Sequence, residues 1–239
     1  MATSNSYTFA PSNAELTIEA FARCGMPAQA LLREHFFEAR RSLNLELATW
    51  SLRGINLWEV DATPQVIPLA ANTAVYVVDP ETVTITDMYY SIVGGGGPGE
   101  DIDRIMLPMS RTEYAETPNK MQPGVPTRFW FQKLIAPQVT IWQVPQSNQV
   151  APNFVLKFYR LRRIQDANPK MGEQPEVIWK FLDALCAGLA KRLAVKYAPE
   201  RYAILEKESA AAWLLAADED REDVPIQIRP DLSGYFRIR

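Results

Sequence analysis

Leu32, Phe36, Ala39, Leu43, Leu47 and Trp50 recur at spacings of three and four. That period puts them on one face of a helix. No Gly or Pro interrupts the chain from Ala28 to Arg53. The pattern therefore predicts one helix there, about 40 Å long, with Pro27 at its first position and Gly54 as its stop. A shorter helix precedes it. Ser12 and Glu15 make a capping box, Ile18, Phe21 and Ala22 form its face, and Gly25 ends it. The far end of the chain reads similarly. Ile178, Phe181, Leu182, Leu185, Leu189 and Leu193 line one side of a helix that Pro175 opens and Pro199 breaks. A fourth helix runs from about Glu200 to Ala217. Carboxylates oppose the negative end of a helix macrodipole, which places the acidic run 218–223 beyond the last turn.

The middle of the chain changes period. Eleven of the eighteen prolines lie between Trp58 and Gln165, where β-branched and aromatic residues also cluster. Val75–Val78, Thr82–Ile92, Ile102–Leu107, Thr127–Leu134, Val139–Val144 and Phe154–Ile164 are apolar or alternating runs separated by Pro, Gly, Asn and Asp, and so predict strands. The fold class expected is α+β. Residues 1–54 and 166–217 supply a helical bundle, an antiparallel β-domain (55–165) is inserted between its halves, and 218–239 form the acidic run and an extended tail. Trp50 and Trp58 should bracket the junction of helix and sheet.

Composition narrows the partners. With 239 residues and 47% apolar side chains the chain can bury a real core. A net charge of −3 makes no global case for wrapping DNA or adhering to an anionic membrane. No apolar run approaches the ~20 residues of a membrane span, and the N-terminus does not read as a signal peptide. Cys24 and Cys186 each fall in a helical pattern and read as reduced, buried, small apolar residues, which suits a cytosolic origin.

Candidate chemistry is sparse. Gly94, Gly96 and Gly99 satisfy G-x-G-x-x-G after a strand, but another strand pattern comes next instead of a helix. Pro98 removes an N–H, and Glu100, Asp101 and Asp103 would repel an anion. A glycine hairpin tip is the preferred reading. Those three acids suit a hard cation in principle, but a solvated acidic loop is the simpler reading. His35, the one histidine, sits beside the helix stripe without a nucleophile turn nearby. Catalytic, cofactor and metal residues are therefore expected to be none. Lys157, Arg160, Arg162 and Arg163 form one basic cluster beside Phe158 and Tyr159. Such a cluster can bind single-stranded nucleic acid, or its charges can pair with a neighbouring subunit or with Asp and Glu. Arg160, Arg162 and Arg163 are taken as candidate subunit or partner contacts. The last residues stay apolar where chain ends are usually polar. Ile226, Ile228, Leu232, Tyr235, Phe236, Ile238 and Arg239 either fold back on the β-domain or anchor in a partner.

Several stretches, in order, resemble one family. Ser42-Leu-Asn-Leu-Glu-Leu-Ala-Thr-Trp50 runs into Gly54-Ile-Asn-Leu-Trp58. Next come Ala74-Val-Tyr-Val-Val-Asp-Pro-Glu-Thr-Val83, Pro108-Met-Ser-Arg-Thr-Glu-Tyr114 and Pro118-Asn-Lys-Met-Gln-Pro-Gly-Val-Pro-Thr-Arg-Phe-Trp130. Pro137-Gln-Val-Thr-Ile-Trp-Gln-Val-Pro145, Pro175-Glu-Val-Ile-Trp179 and Leu185…Leu189-Ala190 complete the set. Spread over residues 14–215, they are similar to the head-to-tail adaptor, or packaged-DNA stabilisation, proteins of short-tailed bacteriophages. The glycine loop 94–99 and the last 20 residues fall outside the resemblance.

The resemblance implies a structural virion protein of the neck, a connector and not an enzyme. It would form a homo-oligomeric ring, usually of twelve copies, beneath the portal protein. It would extend the DNA channel and dock tail or nozzle proteins. Packaged DNA would pass without sequence-specific binding, and neither cofactor nor membrane would be involved. The tail residues above then become candidate portal contacts. Another virion component, of the tail tube or baseplate, is the alternative, and a hydrolase or nucleotide-binding enzyme a more distant one.

Overall fold

A computed structural model describes residues 5–53, 57–97, 99–167 and 172–220. The chain is a mixed α+β protein. Helix α1 (Asn13–Arg23) begins at the anticipated box, where Ser12 Oγ accepts from the Glu15 N–H and the Glu15 carboxylate accepts from the Ser12 N–H. Gly25 comes after it at φ +88°. Helix α2 (Arg33–Trp50) is shorter than the stripe implied. Pro27 caps a separate 3-10 turn, Ala28–Ala30, and Leu31 and Leu32 are extended. Eighteen residues give about 27 Å, not 40. The break has a cause at the new start, where the Leu32 N–H donates to His35 Nδ1 at 2.8 Å and the imidazole acts as a cap.

The two C-terminal helices also begin late. After Pro175 comes a 3-10 turn, Trp179–Phe181, and only then α4 (Leu182–Tyr197). Pro199 opens a further 3-10 turn, Pro199–Arg201, before α5 (Tyr202–Glu219). A third short helix, α3 (Arg111–Glu116), lies among the strands behind its own capping box, Ser110 and Glu113. Asp218 and Glu219 belong to the last turn of α5, so the acidic run does not begin wholly beyond it. Lys180 offsets part of that unfavourable charge, 3.8 Å from Glu219.

Helix α4 is the hub: α1, α2 and α5 all pack on it. Ala184, Ala187, Gly188, Ala190 and Ala194 keep it slender, and nine of its sixteen residues are buried. A helix lined by small apolar residues on several sides can be enclosed by several neighbours at once. Phe181 sits under Trp50, Trp58 and Trp213, with ring centroids 5.8, 6.0 and 5.4 Å away. Trp50 is fully buried and Trp58 half-buried, so both tryptophans serve the junction as anticipated.

Seven strands form one curled, nearly closed sheet: β1 (Gln65–Pro68), β2 (Val75–Val77), β3 (Thr82–Gly97), β4 (Glu100–Pro108), β5 (Arg128–Gln132), β6 (Gln138–Trp142) and β7 (Phe154–Arg162). Their spatial order is β1-β7-β3-β4-β5-β6-β2. Met88, Tyr90, Met106, Phe129, Ile141, Leu156 and Phe158 fill its interior. Two features differ from the expected antiparallel domain. Strands β4 and β5 pair in parallel, Leu107 with Arg128 and Pro108 with Phe129. Strand β1 has no counterpart in the hydrophobic pattern because it is only four residues long, preceded by Pro64 and ending on Pro68. Proline restricts such a segment to a sheet edge, and β1 lies at the edge.

Candidate functional site

The basic cluster on β7 is where the sequence concentrated its charge. Side chains on a strand alternate between faces, so Leu156, Phe158 and Arg160 share one. Leu156 and Phe158 are core residues, and Arg160 is carried to the same side at the end of that core, 6% exposed. Its Nε donates to Asp61 Oδ2 at 2.7 Å. Its Nη1 donates to Asp79 Oδ2 and to Thr82 Oγ1, both at 3.0 Å. One guanidinium thus ties β7 to the segment before β1 and to the turn between β2 and β3. A candidate for a subunit contact is therefore an internal staple, because a buried charge requires fixed partners of opposite sign.

Arg162 is engaged within the chain as well. Its Nη1 and Nη2 donate to the two oxygens of Glu176, at 2.9 and 2.6 Å. Asp61 lies 3.5 Å from its Nε. The forked pair joins the end of the sheet to the segment that leads into α4. The Glu176 carboxylate also accepts from the Gln165 N–H. Burial pushes the Glu176 carboxyl upward, but these hydrogen bonds prevail and hold it below the usual range. Arg163, the third candidate, is more than half exposed and 3.5 Å from Asp166, three residues along. Of the three it alone keeps a largely solvated guanidinium.

Lys157 points the other way from Arg160 and reaches the β3–β4 hairpin. Its Nζ donates to Asp101 at 2.7 Å and to Asp103 at 3.2 Å. Hydrogen bonds from Lys157, and from the Gly94 N–H at 2.9 Å, hold the Asp101 carboxyl below its usual range. The glycine run was expected to be the hairpin tip, but Gly94–Gly97 form the end of β3, Gly97 lies opposite Glu100 and the turn falls between them; Gly94, Gly97 and Gly99 stand at φ +67°, +146° and +83°. A phosphate would want glycine N–H groups, yet the Gly94 amide already serves a carboxylate of its own chain. Among the described residues no group of three or more His, Cys, Asp or Glu side chains is placed to hold a metal ion.

The remaining candidates are structural in geometry. His35 packs edge-on against Phe21 and Tyr197, centroids 5.6 and 5.3 Å away. Cys24 and Cys186 are free and buried, and their thiols donate toward the Ala190 and Leu16 carbonyls. Burial pushes the Cys186 thiol up to about 12, which keeps it from the thiolate a nucleophile needs. The tail residues Ile226, Ile228, Leu232, Tyr235, Phe236, Ile238 and Arg239 lie outside the described residues.

Two features were missed by sequence reasoning. One is Glu46, 1% exposed between α2 and α4. It pairs with Arg192, accepts from Trp50 Nε1 at 3.2 Å and lies 3.8 Å from Arg53. The signal was present: Glu46 falls on the helix face of Leu43, Leu47 and Trp50. The other is the amount of apolar helix surface left in solvent. Phe37, Leu45, Ile204, Leu214 and Leu215 are all exposed. Apolar area on that scale suits binding to another macromolecular surface.

The chain matches no family model, and a search of the curated proteins finds no match. Among the described residues no helix is long and apolar enough to cross a membrane.

Proposed function

We propose that this chain is a structural head-to-tail adaptor of a bacteriophage virion. In this reading copies of the chain form a ring beneath the portal protein, extend the DNA channel and present a docking face to tail or nozzle proteins. The observation that carries the reading is architectural. Elements from opposite ends of the chain, 13–50 and 182–219, share one apolar core, and the sheet spanning 65–162 is inserted between them. That arrangement supports the helical bundle with a β-insertion that the family resemblance implies. Charge supports it further. Lys157, Arg160 and Arg162 are neutralised by carboxylates of the same chain, and the net charge is −3. A channel that lets DNA slide needs little cationic grip. The apolar residues of 224–239 are the candidate portal anchor.

The test is sedimentation of the purified chain, alone and mixed with the portal ring. Co-sedimentation as a stoichiometric ring is the expected outcome. Deleting 224–239 should leave a folded chain that no longer attaches. A chain that ignores the portal would transfer the reading to a tail-tube or baseplate component.

A further inference from the structure

Helix α5 is apolar on both sides in its C-terminal half, beyond Lys207 and Glu208. Leu205, Ser209 and Ala216 are its buried residues. Ile204, Ala211, Leu214 and Leu215 recur at helical spacing on the opposite side, with Leu214 61% and Leu215 73% exposed. The carboxylates of Asp218 and Glu219 close that stripe at its C-terminal end.

Helix α2 carries a second uncovered face. Phe37, Arg40, Arg41, Asn44 and Leu45 line a shallow groove of about 350 Å³ on it. The groove is apolar at Phe37 and Leu45, which is 55% exposed, and cationic at two arginines, with no carboxylate among the described residues that line it. Arg40 is oriented by the Ala167 carbonyl, which accepts from its Nε at 3.3 Å.

We propose that copies of this chain associate head to tail, the outer stripe of α5 in one copy seating in the α2 groove of the next. Leu214 and Leu215 would cover Phe37 and Leu45, and Asp218 and Glu219 would face Arg40 and Arg41. Apolar area meets apolar area, and the flanking charges have opposite sign. Pairing either face with itself would set carboxylates against carboxylates or arginines against arginines, which disfavours a two-fold dimer. Because the two faces differ, an open assembly keeps one stripe and one groove free at its two ends, and the contact repeats until it closes. This assigns surfaces to the ring proposed above and rests on that reading for its setting.

Leu45→Glu and Leu215→Glu test it, measured by analytical ultracentrifugation of the full chain. Both positions are exposed, so circular dichroism and thermal melting, compared at a concentration where wild type is monomeric, should be unchanged. Wild type should form species larger than a dimer. Each variant alone should lose about tenfold or more in association constant and sediment as a monomer. An equimolar mixture should form a heterodimer and nothing larger, because one intact α5 stripe and one intact α2 groove remain, on different chains. Three results would overturn the contact: wild type monomeric at its highest soluble concentration, either variant still assembling alone, or a mixture that stays monomeric. Attachment to the portal by chains that never contact one another through these faces removes this contact and leaves the adaptor reading. Assembly in this pattern by a chain that ignores the portal removes the adaptor reading and leaves the contact.

Discussion

Helices α4 and α5 are neighbours of nearly equal length, sixteen and eighteen residues, and both are rich in Ala and Leu. Nine residues of α4 are buried against three of α5. The difference is one of position. Helix α4 is surrounded by α1, α2 and α5, whereas α5 packs on α4 and on the turn before it and leaves its far side in water. Equal apolarity therefore has two meanings here: in α4 it is core, and in α5 half of it is surface whose apolar character asks for a partner.

Substitutions should separate the two helices sharply. Leu189 is fully buried in α4. Leu189→Ala should cost about 2–5 kcal/mol in urea unfolding, through lost transfer energy and the cavity left behind. A loss under about 1 kcal/mol would mean that α4 is not enclosed.

Gly188 sharpens the point because its sign is unusual. Gly→Ala inside a helix ordinarily stabilises by about 1 kcal/mol. Here a Cβ would stand 2.8 Å from Glu46 Oε1 and 3.0 Å from its carboxyl carbon. Gly188→Ala should instead destabilise by about 1–3 kcal/mol, as the carboxylate is moved off Arg192 and Trp50. A stabilised variant would break this account of the α2–α4 contact.

Leu215→Ala on the outer face of α5 should shift monomer stability by less than about 0.5 kcal/mol, read from the urea midpoint at a concentration where the chain is monomeric. A shift as large as that of Leu189→Ala would show the stripe to be covered within the chain.

The smallest effect concerns the junction that leads into α4. The Glu176 carboxyl lies below its unfolded value of about 4.3. Its contribution is fully present above that value and is lost as pH falls through the lower folded value. Urea midpoints from pH 6 to pH 3 should therefore fall at the acid end for wild type. Glu176→Gln should show a shallower acid limb, and the gap between the two should close as pH drops. A constant gap would mean that the Arg162–Glu176 pair contributes nothing that titrates.

The starts of helices illustrate how far a linear pattern reaches. The box at Ser12 was legible because both of its hydrogen bonds are local. The start of α2 was not. The stripe is buried from Ala39 onward, but Leu32 is extended and exposed, and the His35 side chain captures the Leu32 N–H, so the helix starts past Pro27 and its 3-10 turn. The glycine hairpin was legible because a strand succeeds it where a nucleotide loop needs a helix. Its tether through Lys157, Asp101 and Asp103 was not, because those partners stand more than fifty residues apart.

Alternation, stripes, caps and turn residues depend on nearest neighbours, and they were enough to establish helices at both ends, a β region between them and the bounds of five of its seven strands to within a few residues, while β3 runs on from Ile92 through the glycines to Gly97. They could not say which charges meet. Arg160 belongs to the parity of Leu156 and Phe158, and curling of the sheet carries that parity inward to Asp61, Asp79 and Thr82. They could not say that β4 and β5 would run parallel, since pairing direction depends on how the chain returns. Nor could they tell α4 from α5, because enclosure depends on how many elements surround a helix, and that number exists only once the chain has folded.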